Sequence, residues 1–464
     1  MTSCVVRGRG GAQQNDPDLG LGTHASIEAR SLPWHGLDRG MADRRTGFPV
    51  IRLPAGFGGR MIGMSAEPVT GGGPAWDGSL ATSDDGSMIQ LLRPTGELVE
   101  HAEIRPDLDP GLLRAFYRDM VLTRRLDIEA TALQRQGELG LWAPSLGQEA
   151  AQVGSARALR AEDFAFPTYR EHGACLVRGI TPLEILTLYR GVSNGGWDSR
   201  ARGMALPMIV IGNQVPHAVG YAMGIQLDRM QGRPALSDPQ APAGPHASSG
   251  HAPSAADAAV LAYFGDGASS QGDVNEAFVL AGVMRAPVVF FCQNNQWAIS
   301  LSVSQQMAAP LVSRAPGFGL TGVRVDGNDV LAVYAVTRDA LARGRTGGPP
   351  TLIEAVTYRM GPHTTSDDPT RYRDSADVDL WRARDPIARL EAFLVHRGML
   401  DDAARSALDA EAEQLAQTVR HGVREMPDPP AASILDHVYA EGHPRIDELR
   451  ADAQRRDSPH ETGT

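Results

Sequence analysis

Between residues 258 and 356 short apolar runs alternate with longer stretches of helical periodicity. Residues 260–264, 288–292, 322–325 and 351–356 read as strands, and 271–285 and 329–343 as helices. The runs at 260–264 and 288–292 are almost continuously apolar rather than alternating, as expected of strands buried on both faces. Strands separated by helices of this length are joined by crossovers. The fold class that follows is α/β, a parallel sheet covered by helices on both faces.

In such a sheet ligands bind at the carboxyl ends of the strands. Two of these ends carry chemistry. Gly265-Asp266-Gly267-Ala268 follows the first strand and Gln293-Asn294-Asn295 ends the second. The glycines admit close backbone approach, and the helix that follows offers free N–H groups to an anion. Asp266 and Asn295 supply two oxygens from neighbouring strand ends. With a backbone carbonyl and diphosphate oxygens they suit an octahedral Mg2+.

The rest of the chain frames this segment. Residues 1–88 are rich in glycine and poor in apolar periodicity, and read as a disordered extension. Residues 89–375 read as the α/β domain, opened by a short extended lead-in. A long amphipathic helix follows, started by Asp109-Pro110. Further helices fall near 147–159, 182–190 and 216–230, and residues 231–256, with five prolines, form a flexible insertion. Residues 376–464 are a helical C-terminal region, with helices at 380–395 and 401–424.

Composition removes several functions. All 44 Lys+Arg residues are Arg. Without Lys there is no Schiff-base amine, no phosphate-loop Lys and no lipoyl or biotin attachment point. A net charge of −11 argues against nucleic-acid binding. Cys4, Cys175 and Cys292 are too few and too scattered for a disulfide framework, and no apolar run is long enough to cross a membrane. Met1 to Gly11 holds Arg7 and Arg9 without an apolar stretch, so a secretory signal is not expected and a cytoplasmic location is.

The strand-GDG-helix-strand-NN order resembles the thiamine diphosphate motif. The likeness extends over residues 90–440, through Gly147-Gln-Glu-Ala-Ala, Phe166-Pro-Thr-Tyr-Arg-Glu-His-Gly, Gln214-Val-Pro-His-Ala-Val-Gly and Thr357-Tyr-Arg-Met-Gly-Pro-His-Thr-Thr-Ser-Asp-Asp-Pro. These stretches resemble the alpha subunit of the decarboxylating component of 2-oxoacid dehydrogenase complexes. The resemblance implies a thiamine diphosphate-binding fold with two cofactors, thiamine diphosphate and Mg2+. It implies that Asp266, Asn295 and the backbone carbonyl of Trp297 hold the metal. Tyr169, Arg170, Gly267 and Ala268 would meet the diphosphate, with Arg170 as a two-pronged donor. Ile209 and Ile211 would hold the aminopyrimidine by their backbone, and the side chain of Ile211 would bend the cofactor. The same residues also read as an ordinary buried strand, and both readings can hold. His363 would contact the diphosphate and the reacting groups, as proton donor or electrostatic stabiliser. His172 and His217 are expected to be structural, at helix ends.

The resemblance also implies partners. The carboxylic acid that the pyrimidine nitrogen needs comes from a beta subunit, in an alpha2-beta2 heterotetramer, and the product passes to the lipoyl acyltransferase core. The substrate is a small 2-oxoacid. The wording around residues 327–330 and 361–369 favours a branched-chain acid of the 2-oxoisovalerate type, ahead of pyruvate and then acetoin. Gln293 departs from the Arg often found before the Asn pair, which puts one phosphate contact in doubt. Ala143 stands where pyruvate-specific mitochondrial members carry His. The competing reading is a non-catalytic paralogue that binds a beta-like partner.

Overall fold

The computed structural model describes residues 88–193, 195–231, 258–436 and 438–457. The expected extension at 1–88 and insertion at 231–256 fall almost wholly outside them. In chain order, helices α1 (Pro110–Arg135) and α2 (Glu149–Arg157) lead to strand β1 (Phe164–Phe166). Helices α3 (His172–Val177), α4 (Pro182–Arg190), α5 (Ser199–Arg202) and α6 (Gln214–Met230) follow. Then come β2 (Val260–Gly265), α7 (Gly272–Met284), β3 (Val288–Asn294) and a small antiparallel pair, β4 (Trp297–Ala298) with β5 (Leu301–Ser302). The short α8 (Val303–Gln306), β6 (Thr321–Asp326), α9 (Val330–Arg345) and β7 (Thr351–Val356) complete the alternation. Four further helices end the chain: α10 (Ser375–Arg382), α11 (Pro386–His396), α12 (Asp402–Glu425) and α13 (Pro444–Asp457).

The main sheet has the order β1-β2-β3-β7-β6, and every pair in it is parallel. Its two faces follow from the pleat. Leu261, Tyr263, Val289, Phe291, Ile353 and Ala355 point into one core, shared with α1, α2 and α9. Val260, Ala262, Phe264, Val288, Phe290 and Leu352 point into the other, shared with α6 and α7. Side chains alternate along a strand, so a sheet covered on both faces needs apolar residues at every position. Full burial of each large one contributes about 1.5–3 kcal/mol.

Two expectations change. The single helix at 380–395 is two, α10 and α11. Pro386 disfavours helical backbone at the residue before it, and the Asp385 carboxylate accepts from the N–H groups of Ile387 and Ala388, starting α11 afresh. The three-residue strand β1 carried no sequence signal of its own. It forms because Phe164, Ala165 and Phe166 pair with Val260, Leu261 and Ala262. The C-terminal helices are bound into the body of the fold: Leu390, Phe393, Leu394, Val419 and Val423 join the core that contains α1.

The lead-in behaves as read. Ile89 bridges to Val325 of β6, and the Asp329 carboxylate accepts from the N–H groups of Leu91 and Leu92. At the other end of the strands the register matters most. Gly265 pairs with Gln293, and Asn294 with Val356. Residues 266–268, 295–297 and 357–363 therefore leave the sheet at one edge, beside the chain that leaves β1.

Candidate functional site

A cavity of about 270 Å³ opens at this edge. Tyr169, Arg170, Ile211, Asp266, Gly267, Ala268, Asn295, Trp297 and His363 all line it. Segments almost two hundred residues apart in sequence meet here because their strands end at the same edge of one parallel sheet. Ile209 is the exception. It is 58% exposed and does not line the cavity. Residues 209–211 are not a buried strand but an exposed turn before α6; Val210 and Ile211 are exposed as well.

The oxygens lie deep in the cavity. Asp266 is buried, and its Oδ2 accepts from Gln306 Nε2 at 2.9 Å. Burial pushes its carboxyl up to about 6, against the lowering effect of the Gln306 amide. Asn295 Oδ1 accepts from the Trp297 N–H at 3.2 Å, while its Nδ2 donates to Gln148 Oε1 at 3.1 Å. The turn that presents Trp297 is wound left-handed at Gln296 and Ile299, with φ of 72° and 54°. For a β-branched residue such as Ile299 this conformation is strained. Among the described residues no three His, Cys, Asp or Glu side chains gather around one point. A metal here would rest on one carboxylate, one amide oxygen and a backbone carbonyl, a donor set suited to a hard cation.

Positive charge gathers on the facing wall. Arg170 donates Nη1 to the Pro144 carbonyl at 2.5 Å and Nη2 to the His363 carbonyl at 2.9 Å. These bonds bridge two loops and fix the guanidinium as a charge in the cavity wall, with N–H groups to spare for a phosphate. Arg359 is fully buried. It donates to the Ile299 carbonyl at 2.7 Å and the Tyr372 hydroxyl at 2.9 Å, and its Nη1 reaches the Trp297 carbonyl at 3.4 Å. Burial, then the nearby Arg170 charge, lowers it to about 10. His363 sits between the two guanidinium groups. Burial first, then both arginines, hold its imidazole down at about 4, so it is neutral at pH 7. His363 itself is half-buried. Asp367 accepts from the His363 N–H and from Tyr372, fixing the loop.

Other residues complete the wall. Glu171 is buried and lines the cavity, but its carboxylate is held by the Thr168 N–H and hydroxyl and by the Gln293 amide. Gln293 thus serves the fold of this wall, and its Oε1 is left without a partner. His172 starts α3, fully buried, with Nε2 2.9 Å from the Ala143 carbonyl and its ring stacked on Trp142. His217 is exposed on the first turn of α6. Gln148, Glu171, Arg359 and Gln306 were not assigned roles from sequence. Gln148, Glu171 and Arg359 lie inside the motifs quoted above; Gln306 carries no such signal.

A cavity at the carboxyl edge of a doubly covered parallel sheet, with Asp266, Asn295 and Arg170 in its lining, defines a ligand-binding α/β protein. The sequence model of the dehydrogenase E1 component matches residues 117–433, and the chain belongs to that family. It is 44% identical over 375 residues to the "3-methyl-2-oxobutanoate dehydrogenase subunit alpha" of Mycobacterium tuberculosis, covering 80% of this chain and 95% of that protein. It is 36% identical over 353 residues to the "pyruvate dehydrogenase E1 component subunit alpha" of Bacillus cereus, covering 76% and 88%. The protein of that name from Staphylococcus aureus is 37% identical over 317 residues, 68% of this chain and 78% of its own. The chain is an alpha subunit of the thiamine diphosphate-dependent 2-oxoacid dehydrogenases. Among the described residues no helix is long and apolar enough to cross a membrane.

Proposed function

We propose that this chain decarboxylates a branched-chain 2-oxoacid of the 2-oxoisovalerate type and passes the acyl group to lipoamide of an acyltransferase component. The observation that carries the reading is one cavity lined by Asp266, Asn295, Trp297, Arg170 and His363, with the buried Arg359 set behind His363. The substrate rests on the printed name of the 44% identical relative.

The residues present fit the cofactor. The cationic wall suits a diphosphate, and Asp266, Asn295 and the Trp297 carbonyl would hold Mg2+ beside it. Tyr169, Gly267 and Ala268 line the same cavity, and Ile211, which lines it too, would present its backbone to the aminopyrimidine, with Ile209 reaching it only if the exposed 209–211 turn closes in on the bound cofactor. When bound, thiamine diphosphate supplies the nucleophilic carbon and the electron sink for loss of CO2. The chain's own residues bind and orient. Neutral His363 offers a ring N–H to the reacting groups, and the two arginines beside it favour developing negative charge.

Among the described residues the carboxylates that line the cavity are Asp266 and Glu171. The first would serve the metal, and Thr168 and Gln293 already hold the second. The acid needed beside the pyrimidine nitrogen would therefore come from a beta subunit, covering the exposed Ile209, Val210 and Ile211 in an alpha2-beta2 assembly. The reading places the complex in the cytoplasm.

The test is co-expression with a beta subunit, then decarboxylation assays with thiamine diphosphate and Mg2+. A higher kcat/KM for 2-oxoisovalerate than for pyruvate or acetoin is expected. A pyruvate preference would support the second reading, which rests on the names of the Bacillus and Staphylococcus relatives. No turnover of any of the three would refute both, leaving a chain that only binds a beta-like partner.

A further inference from the structure

We propose that Gln148 is a ligand-binding residue of this cavity, donating its side-chain amide to a diphosphate oxygen while holding Asn295 in its metal-facing sense. The inference rests on the cofactor site proposed above and adds a residue to it.

Gln148 occupies the N-cap position of α2, but its side chain makes no cap bond. The backbone around it is tightly set. Gly147 has φ +94°, and a Cβ there would lie 2.6 Å from the Tyr358 carbonyl. The Gly147 carbonyl accepts from the Thr357 hydroxyl at 2.9 Å, and its N–H donates to Glu149 at 3.0 Å. Glu149 is held in turn by Arg124 at 2.8 Å. Gly147 and Glu149 therefore serve the turn, and the residue between them is delivered to the cavity, which Gln148 lines.

The side chain is fully buried, and its Nε2 has no partner. The sense of the amide follows from its neighbours. The Trp297 N–H can only donate, so Asn295 must turn Oδ1 toward it. Asn295 Nδ2 then faces Gln148, which must answer with Oε1. Reversing Gln148 would set two NH2 groups against each other. The chain of constraints thus leaves an N–H donor, not an oxygen, unpaired at the cavity. A buried donor without a partner awaits an acceptor. Arg170 lines the same cavity, and with its charge there the acceptor that matches is an anionic oxygen.

The test uses the assembled alpha–beta complex and two substitutions. Gln148→Glu keeps an acceptor for Asn295 but removes the donor and adds a negative charge. Gln148→Met keeps the volume and removes both bonds. Calorimetric titration with thiamine diphosphate at fixed Mg2+ should show both variants weakened by roughly tenfold or more, Gln148→Glu the more. Gln148→Met should also need more Mg2+ for half-maximal cofactor binding. The melting temperature without cofactor reports on folding separately. Wild-type dissociation constants in a folded Gln148→Met complex would overturn the inference and leave the cofactor site standing. Failure of the unaltered complex to bind thiamine diphosphate would instead remove the site itself, and this inference with it.

Discussion

The imidazole Nδ1 of His363 stands 3.2 Å from a guanidinium nitrogen of Arg170. A second guanidinium, of Arg359, approaches the same atom at 3.3 Å. Guanidinium groups only donate, so Nδ1 accepts and the ring proton sits on Nε2. Neither arginine could approach so closely if the ring were charged. His363 is therefore a neutral N–H donor at working pH, rather than a standing imidazolium.

This tautomer is measurable. Nitrogen NMR of the labelled complex should show His363 neutral, with the proton on Nε2, from pH 8 down to about 5, since its titration is held at about 4. Arg170→Met should return the titration toward about 6.5. The sign for stability follows. The folded state binds fewer protons than the unfolded one between pH 4 and 6.5. The contribution of His363 is then complete above 6.5 and lost as pH falls toward 4. An imidazolium signal at pH 7 would contradict the arrangement.

Asp266→Asn should separate folding from ligand binding. It replaces a carboxylate that burial already pushes up to about 6 with a neutral amide that can still accept from Gln306 and the backbone, so melting without cofactor should not fall. The gain in melting temperature on adding Mg2+ and thiamine diphosphate should vanish, with affinity down by about a hundredfold or more. A full ligand-induced shift in the variant would remove Asp266 from the metal set.

Asp127 holds the loop that meets Arg170. Its carboxylate accepts from Trp142 Nε1 at 2.7 Å and from the Ser145 N–H at 3.1 Å, and the intervening Pro144 carbonyl accepts from Arg170. Asp127→Ala leaves these buried donors unpaired, for an expected loss of about 2–4 kcal/mol in urea unfolding. Burial raises this carboxyl to about 7. The folded state binds more protons between pH 3.8 and 7, so this contribution is full below 3.8 and declines as pH rises through 7. An unchanged unfolding midpoint would show that the loop is held by other contacts.

Gly147→Ala should be among the costlier small substitutions in this chain. The backbone is left-handed, and the new Cβ would meet the Tyr358 carbonyl. A loss of about 2–4 kcal/mol is expected, with weaker cofactor binding as Gln148 shifts. Near-neutral unfolding, within about 0.5 kcal/mol, would mean the turn yields easily.

What the amino-acid order determined by itself is local or repetitive. Continuous apolar runs between amphipathic segments specify a covered parallel sheet, because burial on two faces forbids polar alternation. Asp109-Pro110 and Asp385-Pro386 mark helix starts, the second inside an apolar periodicity that runs on through 380–395 and masks it. Gly-Asp-Gly and Asn-Asn at strand ends announced Asp266 and Asn295. Tertiary structure decided what those groups face. The Gln148–Asn295 bond depends on the register of β3 against β2 and on the left-handed turn at Gly147. The neutrality of His363 depends on two arginines, one of them 193 residues away in sequence. Arg170 is held by two loop carbonyls, and 209–211 is exposed rather than a buried strand. Patterns of burial repeat along a chain and can be read there. Pairings between single polar groups require angstrom-scale placement of distant backbone, which only the folded packing supplies.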